Sequence, residues 1–158
     1  MLDETLDSLH DFLLNNKLSI ASAESCTSGM LANMLAKNSG SSAYYKGGII
    51  AYCNDLKVDL LNVSKKTLHK YGAVSQETAI EMALGVQKIC KSDIGISTTG
   101  IAGPSGATAE KPIGLVYIGF AFKNNNFTKK FNFIGDRQEN KKSTCAAAIQ
   151  IIYDTLVN

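Results

Sequence analysis

Histidine is nearly missing from this sequence: two occur in 158 residues, His10 and His69. His10 falls on a stretch with helical leucine spacing and His69 in a polar run beside Lys70, so both read as surface residues. A Ser-His-Asp triad is therefore disfavoured, and no serine sits in the G-x-S-x-G turn that presents the nucleophile in much of that chemistry. Arginine is scarcer still. Of 16 basic residues only Arg137 is not lysine, and a planar guanidinium grips carboxylate or phosphate as an ammonium cannot. The four cysteines, Cys26, Cys53, Cys90 and Cys145, stand far apart with no C-x-x-C pair, which favours reduced, mostly buried thiols. No His/Cys/Asp group has metal-ligand spacing, so neither a metal nor another cofactor is expected.

Other absences bear on location and partners. No apolar run approaches membrane-spanning length, and Met1-Leu2-Asp3-Glu4 is acidic where a secretory leader is basic. The expectation is a cytoplasmic protein without membrane contact. A net charge of +2 with no basic stripe interleaved with aromatics argues against nucleic acid as a partner. Lys129-Lys130 and Lys141-Lys142 read as a solvated face. Two prolines and no long polar tract argue against disorder, and 45% apolar with 19% charged content is that of an ordinary globular chain. The length suits a single domain over residues 1–158.

The patterns that are present describe an α/β fold. Leu2, Leu6, Leu9 and Leu13 predict an amphipathic helix over 2–15, and Leu18–Ala23 a short buried strand. Met30, Leu31, Met34 and Leu35 continue into a helix broken by Ser39-Gly40-Ser41-Ser42. Gly48–Cys53 reads as a second strand, with Asn54 as N-cap of a short helix carrying Leu56, Leu60 and Leu61. Ser75 caps a longer helix with a stripe of Ala79, Met82, Ala83, Val86 and Ile89. Ile94–Thr99 is a third strand running into the loop GIAGPSGATAEKP. Ile113–Phe122 and Phe127–Phe133 flank Lys123–Asn126 as a hairpin, and a last helix spans 138–156. Strands alternating with helices, plus one hairpin, predict a three-layer α/β/α sandwich around a mixed sheet.

With histidine unavailable, a serine served by lysine is the remaining route to covalent catalysis. Lys57 falls in the first turn of a helix, where the dipole disfavours an ammonium, and burial would lower its pKa further. Tyr52 could relay a proton or orient the lysine, with the nucleophile drawn from Ser41-Ser42. The same residues also suit a helix-terminating loop and a surface lysine. Ala23-Glu24-Ser25-Cys26-Thr27-Ser28-Gly29 marks a strand-to-helix turn that could hold an anion, or in which Ser25 or Thr27 simply caps the helix. Cys26 as nucleophile lacks a visible charged activator. The backbone of Thr98–Pro104, Gly100 included, could face a ligand.

The phrases AESCTSG, GSSAYYKGGIIAYCNDLK, GAVS, GIAGPSG and KPIGLVYI together resemble the stand-alone nicotinamide-nucleotide amidohydrolases, related to the C-terminal domain of CinA proteins, from about residue 18 to 156. The resemblance implies a CinA C-terminal-like fold and hydrolysis of the carboxamide of nicotinamide mononucleotide to nicotinate mononucleotide and ammonia. It implies a serine, lysine and tyrosine set at Ser42, Lys57 and Tyr52, with Glu24, Ser25, Asn54, Thr99, Gly100 and Arg137 around the substrate. It also implies a homodimer or larger assembly. Ser28 departs from the pattern, standing where the family has the first glycine of CTGG, which bears on the tightness of that turn. Two rival roles are a catalytically silent nucleotide-binding module and an interaction partner in DNA uptake or damage responses.

Overall fold

The leucine stripe at the start of the chain does form a helix, α1 (Leu2–Asn16), with Leu6, Leu9 and Leu13 buried. The computed structural model describes residues 1–158. After α1 come β1 (Ile20–Glu24), α2 (Met30–Leu35), a 3-10 turn at Ser41–Ala43, and β2 (Tyr45–Ile50). Next are α3 (Asn54–Leu61), α4 (Lys65–Tyr71), α5 (Gln76–Cys90) and β3 (Ile94–Gly100). The hairpin β4 (Leu115–Phe122) and β5 (Asn125–Asn132) leads to α6 (Arg137–Leu156).

The strands form one five-stranded sheet in the order β2-β1-β3-β4-β5. β1 runs parallel to both β2 and β3, whereas β3, β4 and β5 pair antiparallel. One face carries Ile20, Ile94, Ile96, Ile118 and Phe120, packed with the leucines of α1, Leu31 and Leu35 of α2, and Ile149 and Ile152 of α6. The other carries Ala21 and Ala23, against Leu61, Met82 and Val86. The three-layer sandwich with a mixed sheet is thus the observed architecture. Small residues let α5 ride close to the sheet: a Cβ added to Gly95 would stand 2.1 Å from the Ala83 carbonyl oxygen. No helix is long and apolar enough to cross a membrane.

Several local expectations need correction. β2 is Tyr45–Ile50 rather than Gly48–Cys53, because only Tyr45–Ile50 finds parallel partners on β1. Its apolar continuation turns away at Ala51, whose N–H donates to the Glu24 carbonyl at 2.9 Å. The N-cap of α3 is Cys53, and Asn54 is the first helical residue with no side-chain capping bond. Ile89 is half-exposed rather than part of the buried stripe of α5. The hairpin turns on Lys123-Asn124 alone, since Phe122 already pairs with Asn125. Helix α4, capped by Ser64, was not anticipated from its polar sequence.

Candidate functional site

The parallel strands β1, β2 and β3 end on the same edge of the sheet, and there the chain leaves a cavity of about 310 Å³. Crevices outside the carboxyl ends of parallel strands are the usual binding sites of open α/β sheets. Ser25 follows β1, Tyr52, Asn54 and Lys57 follow β2, Thr99 and Gly100 end β3, and Arg137 opens α6; all line the cavity.

Lys57 is the most unusual of them. It is a lysine only 1% exposed, and a buried ammonium is costly unless compensated. Its Nζ lies 2.9 Å from the Ala51 carbonyl oxygen, 3.2 Å from that of Tyr52 and 3.1 Å from Ser25 Oγ. Desolvation lowers its pKa from the ordinary 10.5, against a smaller opposing influence from the neighbouring Cys53 and Cys26. A neutral amine has two N–H donors and one lone pair. In that form the two carbonyls match the donors and the lone pair would face the Ser25 hydroxyl, whereas as an ammonium Nζ donates to all three oxygens.

Ser25 itself sits at a tight turn. Its N–H donates to the Thr98 carbonyl oxygen at 2.9 Å, and its own carbonyl accepts from Ser28 N–H at 3.2 Å. The backbone N–H groups of Cys26 and Thr27, immediately after it, donate to no backbone carbonyl, and that of Cys26 bonds its own thiol. Cys26 is buried, and desolvation pushes its thiol up to about 12, so it stays a thiol at neutral pH. This burial argues against Cys26 as a nucleophile. Ser28 takes the left-handed conformation at φ 47°, which explains why a glycine suits this position. Its hydroxyl accepts from Lys141 Nζ at 2.7 Å.

Ser42 is not in this site. It is exposed in the 3-10 turn that precedes β2, whereas Lys57 follows the far end of that strand. The six residues of β2 lie between them, roughly 20 Å at the usual strand rise. The expected pairing of Lys57 with Ser42 is therefore replaced by Lys57 with Ser25. Tyr52 also differs from expectation. Its backbone carbonyl orients Lys57, but its phenol oxygen accepts from Arg137 Nη2 at 3.1 Å. Arg137 Nη1 donates to the Gly103 carbonyl at 2.8 Å, so the guanidinium spans from the GIAGP loop to Tyr52 across the cavity.

Thr99 is buried and donates its hydroxyl to the Ala73 carbonyl at 2.7 Å. Glu24, expected beside the substrate, does not line the cavity. It is 1% exposed and turned inward. Its Oε1 accepts from the Thr27 hydroxyl, Gly29 N–H and Leu31 N–H, and its Oε2 from Ala32 N–H. Asn140 was missed by sequence reasoning. Buried in α6, it donates to the Ala102 carbonyl at 3.0 Å and ties the cavity wall to that helix. Its position three residues after Arg137 on one helix face was the available signal.

A mixed sheet with a serine-lysine pair at the carboxyl ends of its parallel strands defines an α/β domain with its candidate site on that edge of the sheet. Residues 3–156 match the CinA C-terminal domain, and the chain belongs to that family. It is 52% identical over 146 residues to a protein of Clostridium tetani named as competence-damage inducible, covering 92% of this chain and 36% of that one. A namesake from Clostridium novyi is 48% identical over 156 residues, with 99% of this chain and 37% of the relative covered. The chain thus spans little more than a third of these curated relatives. Solved structures match at full length. A competence/damage inducible protein from Agrobacterium tumefaciens has a TM-score of 0.95 at 34% identity, with 99% and 96% of the two chains covered. A CinA superfamily protein from Klebsiella pneumoniae has a TM-score of 0.95 at 27% identity, with 99% and 98% covered.

Proposed function

We propose that this protein is an amidohydrolase that converts nicotinamide mononucleotide and water to nicotinate mononucleotide and ammonia, with Ser25 as nucleophile and Lys57 as its base. The observation that carries the chemistry is the 3.1 Å approach of Lys57 Nζ to Ser25 Oγ, with two carbonyls taking the other amine positions. The choice of substrate rests on the family resemblance.

In this reading neutral Lys57 accepts the Ser25 proton as Oγ attacks the carboxamide carbon. The oxyanion that forms lies near the N–H groups of Cys26 and Thr27, which no backbone carbonyl takes, and such donors contribute about 3–4 kcal/mol each in comparable sites. The Lys57 ammonium, bonded to the Ala51 and Tyr52 carbonyls, then protonates the departing nitrogen, and ammonia leaves. Water enters, gives its proton to Lys57 and attacks the acyl ester. Ser25 is released as nicotinate mononucleotide departs. Arg137, the one guanidinium on the cavity, is the group proposed to take the substrate phosphate, with Thr99 and Asn54 as further polar groups of the lining.

The test is ammonia release from nicotinamide mononucleotide by wild type, Ser25→Ala and Ser42→Ala. Loss in the first variant with retention in the second supports the assignment. A fully active, folded Ser25→Ala protein removes it. A wild type that binds the nucleotide without releasing ammonia would make the domain a binding module.

A further inference from the structure

Glu24 is a buried carboxylate with no lysine or arginine among its hydrogen-bond partners. All its acceptor capacity is directed at the segment 27–32, which begins two residues after Ser25. The Thr27 hydroxyl donates to Glu24 Oε1, so its bond to Thr98 Oγ1, at 2.7 Å, must have Thr98 as donor. Thr98 in turn belongs to the strand whose carbonyl receives the Ser25 N–H. A closed circuit results: Glu24 fixes the turn after Ser25, and through Thr27 and Thr98 it fixes that turn to β3.

Left-handed backbone at Ser28 (φ 47°), a residue with a side chain, puts strain into this turn, while Gly29 (φ 99°) takes the same hand freely. The carboxylate supports the turn. It gathers Gly29, Leu31 and Ala32 N–H onto one side chain, while the N–H groups of Cys26 and Thr27 donate to no backbone carbonyl.

We infer that Glu24 is a positioning residue: its carboxylate holds the 25–29 turn so that the Ser25 hydroxyl meets Lys57 with the Cys26 and Thr27 N–H groups, neither taken by a carbonyl, beside it. The inference rests on Ser25 being the nucleophile. Glu24 contacts no substrate, and its effect belongs to turnover, not binding. Glu24→Gln is the sharp perturbation. It keeps size and shape but turns one acceptor oxygen into an NH₂ group that opposes backbone N–H donors. Thr27→Val is the milder one, removing the hydroxyl bridge and leaving the three backbone bonds in place.

The experiment uses the full chain and two readouts. The first is capture of Ser25 by a fluorophosphonate, followed by mass spectrometry; a Ser25 Oγ–P bond forms, the P–F bond breaks, and the hydroxyl proton passes to Lys57. The second is kcat and KM for nicotinamide mononucleotide. Glu24→Gln is expected to slow capture and lower kcat together by about 10- to 100-fold, the scale of a misplacement near 1 Å. KM should stay within about threefold, and the pH midpoint of capture should not move, because the bonds to Ala51 and Tyr52 that orient Lys57 are untouched. Thr27→Val should move both readouts the same way by less, and it decides the matter if Glu24→Gln does not fold. Unchanged capture and kcat in a folded variant overturn the inference, as does a raised KM with kcat preserved. A wild type never captured at Ser25 overturns instead the nucleophile assignment, and the inference with it.

Discussion

Lys57 Nζ and Ser25 Oγ stand 3.1 Å apart although 32 positions separate the residues. The end of β1 and the segment after β2 are brought together by the parallel pairing of those strands, with Glu24 opposite Ile50. Groups that act in one proton transfer lose their effect together. Ser25→Ala and Lys57→Met are each expected to lower kcat by on the order of 10³-fold or more, and the double variant by no more than the worse single one. Ammonia release, with circular dichroism to check folding, measures this. Multiplying losses would mean that the two residues serve separate steps.

The pH dependence follows from the burial of Lys57. Only the neutral amine can take the Ser25 proton, so kcat/KM should rise with pH and level off above a midpoint below 10.5, since desolvation lowers this pKa. Stability has the same sign. Between the lowered folded pKa and the unfolded value near 10.5, the unfolded chain binds more protons than the native one. Unfolding free energy should therefore gain a contribution as pH rises through that window, one that is missing below it. Lys57→Met should remove this increment in urea titrations run across the range. An identical pH profile in Lys57→Met would place the titration elsewhere.

The sheet and its helices were largely legible, whereas the central pairing of the site was not. Leu6, Leu9 and Leu13 repeat at helical spacing, and the two strands of the hairpin announce themselves by composition. The strand at Tyr45–Ile50 is harder to see because Gly47 and Gly48 interrupt its pattern. Yet Gly48 must lack a side chain, since a Cβ there would stand 2.6 Å from Ser22 Oγ. Ser42 precedes β2 and Lys57 follows it, so the strand holds them at opposite ends. Of the candidates named from sequence, Ser25, Tyr52, Asn54, Lys57, Thr99, Gly100 and Arg137 line one cavity, whereas Glu24 and Ser42 do not. The partner of Lys57 depends on which strands lie side by side, and local spacing carries no record of that. Ser42→Ala should accordingly keep kcat/KM within about twofold, as for other exposed substitutions away from a site.

Arg137 offers a way to test the substrate's anionic end. Its guanidinium already donates to Gly103 and Tyr52, which fixes its plane across the cavity. A fork held in this way grips phosphate better than a flexible ammonium. Arg137→Lys should raise KM for nicotinamide mononucleotide by about 10-fold, with a smaller change in kcat, consistent with loss of a charged hydrogen bond of roughly 1.5–3 kcal/mol. The same substitution should leave turnover of the phosphate-free riboside unchanged. Equal losses on both compounds would remove the phosphate assignment and leave Arg137 as a brace for Tyr52 and the Gly103 loop.

Ser28 gives a prediction on stability alone. It occupies left-handed backbone at φ 47°, a conformation costing roughly 1–2 kcal/mol for a residue with a side chain. Glycine relieves that strain but loses more entropy on folding, which offsets part of the gain. The bond from Lys141 to the Ser28 hydroxyl is exposed, so its loss costs a few tenths of a kcal/mol. The balance favours Ser28→Gly by about 0.5–1 kcal/mol, or roughly 1–4 °C in Tm for a chain of this size. Calorimetry measures it directly, and a lower Tm would mean that the Lys141 contact outweighs the strain. Activity should hold in either case, because the Ser28 N–H that bonds the Ser25 carbonyl is retained with glycine.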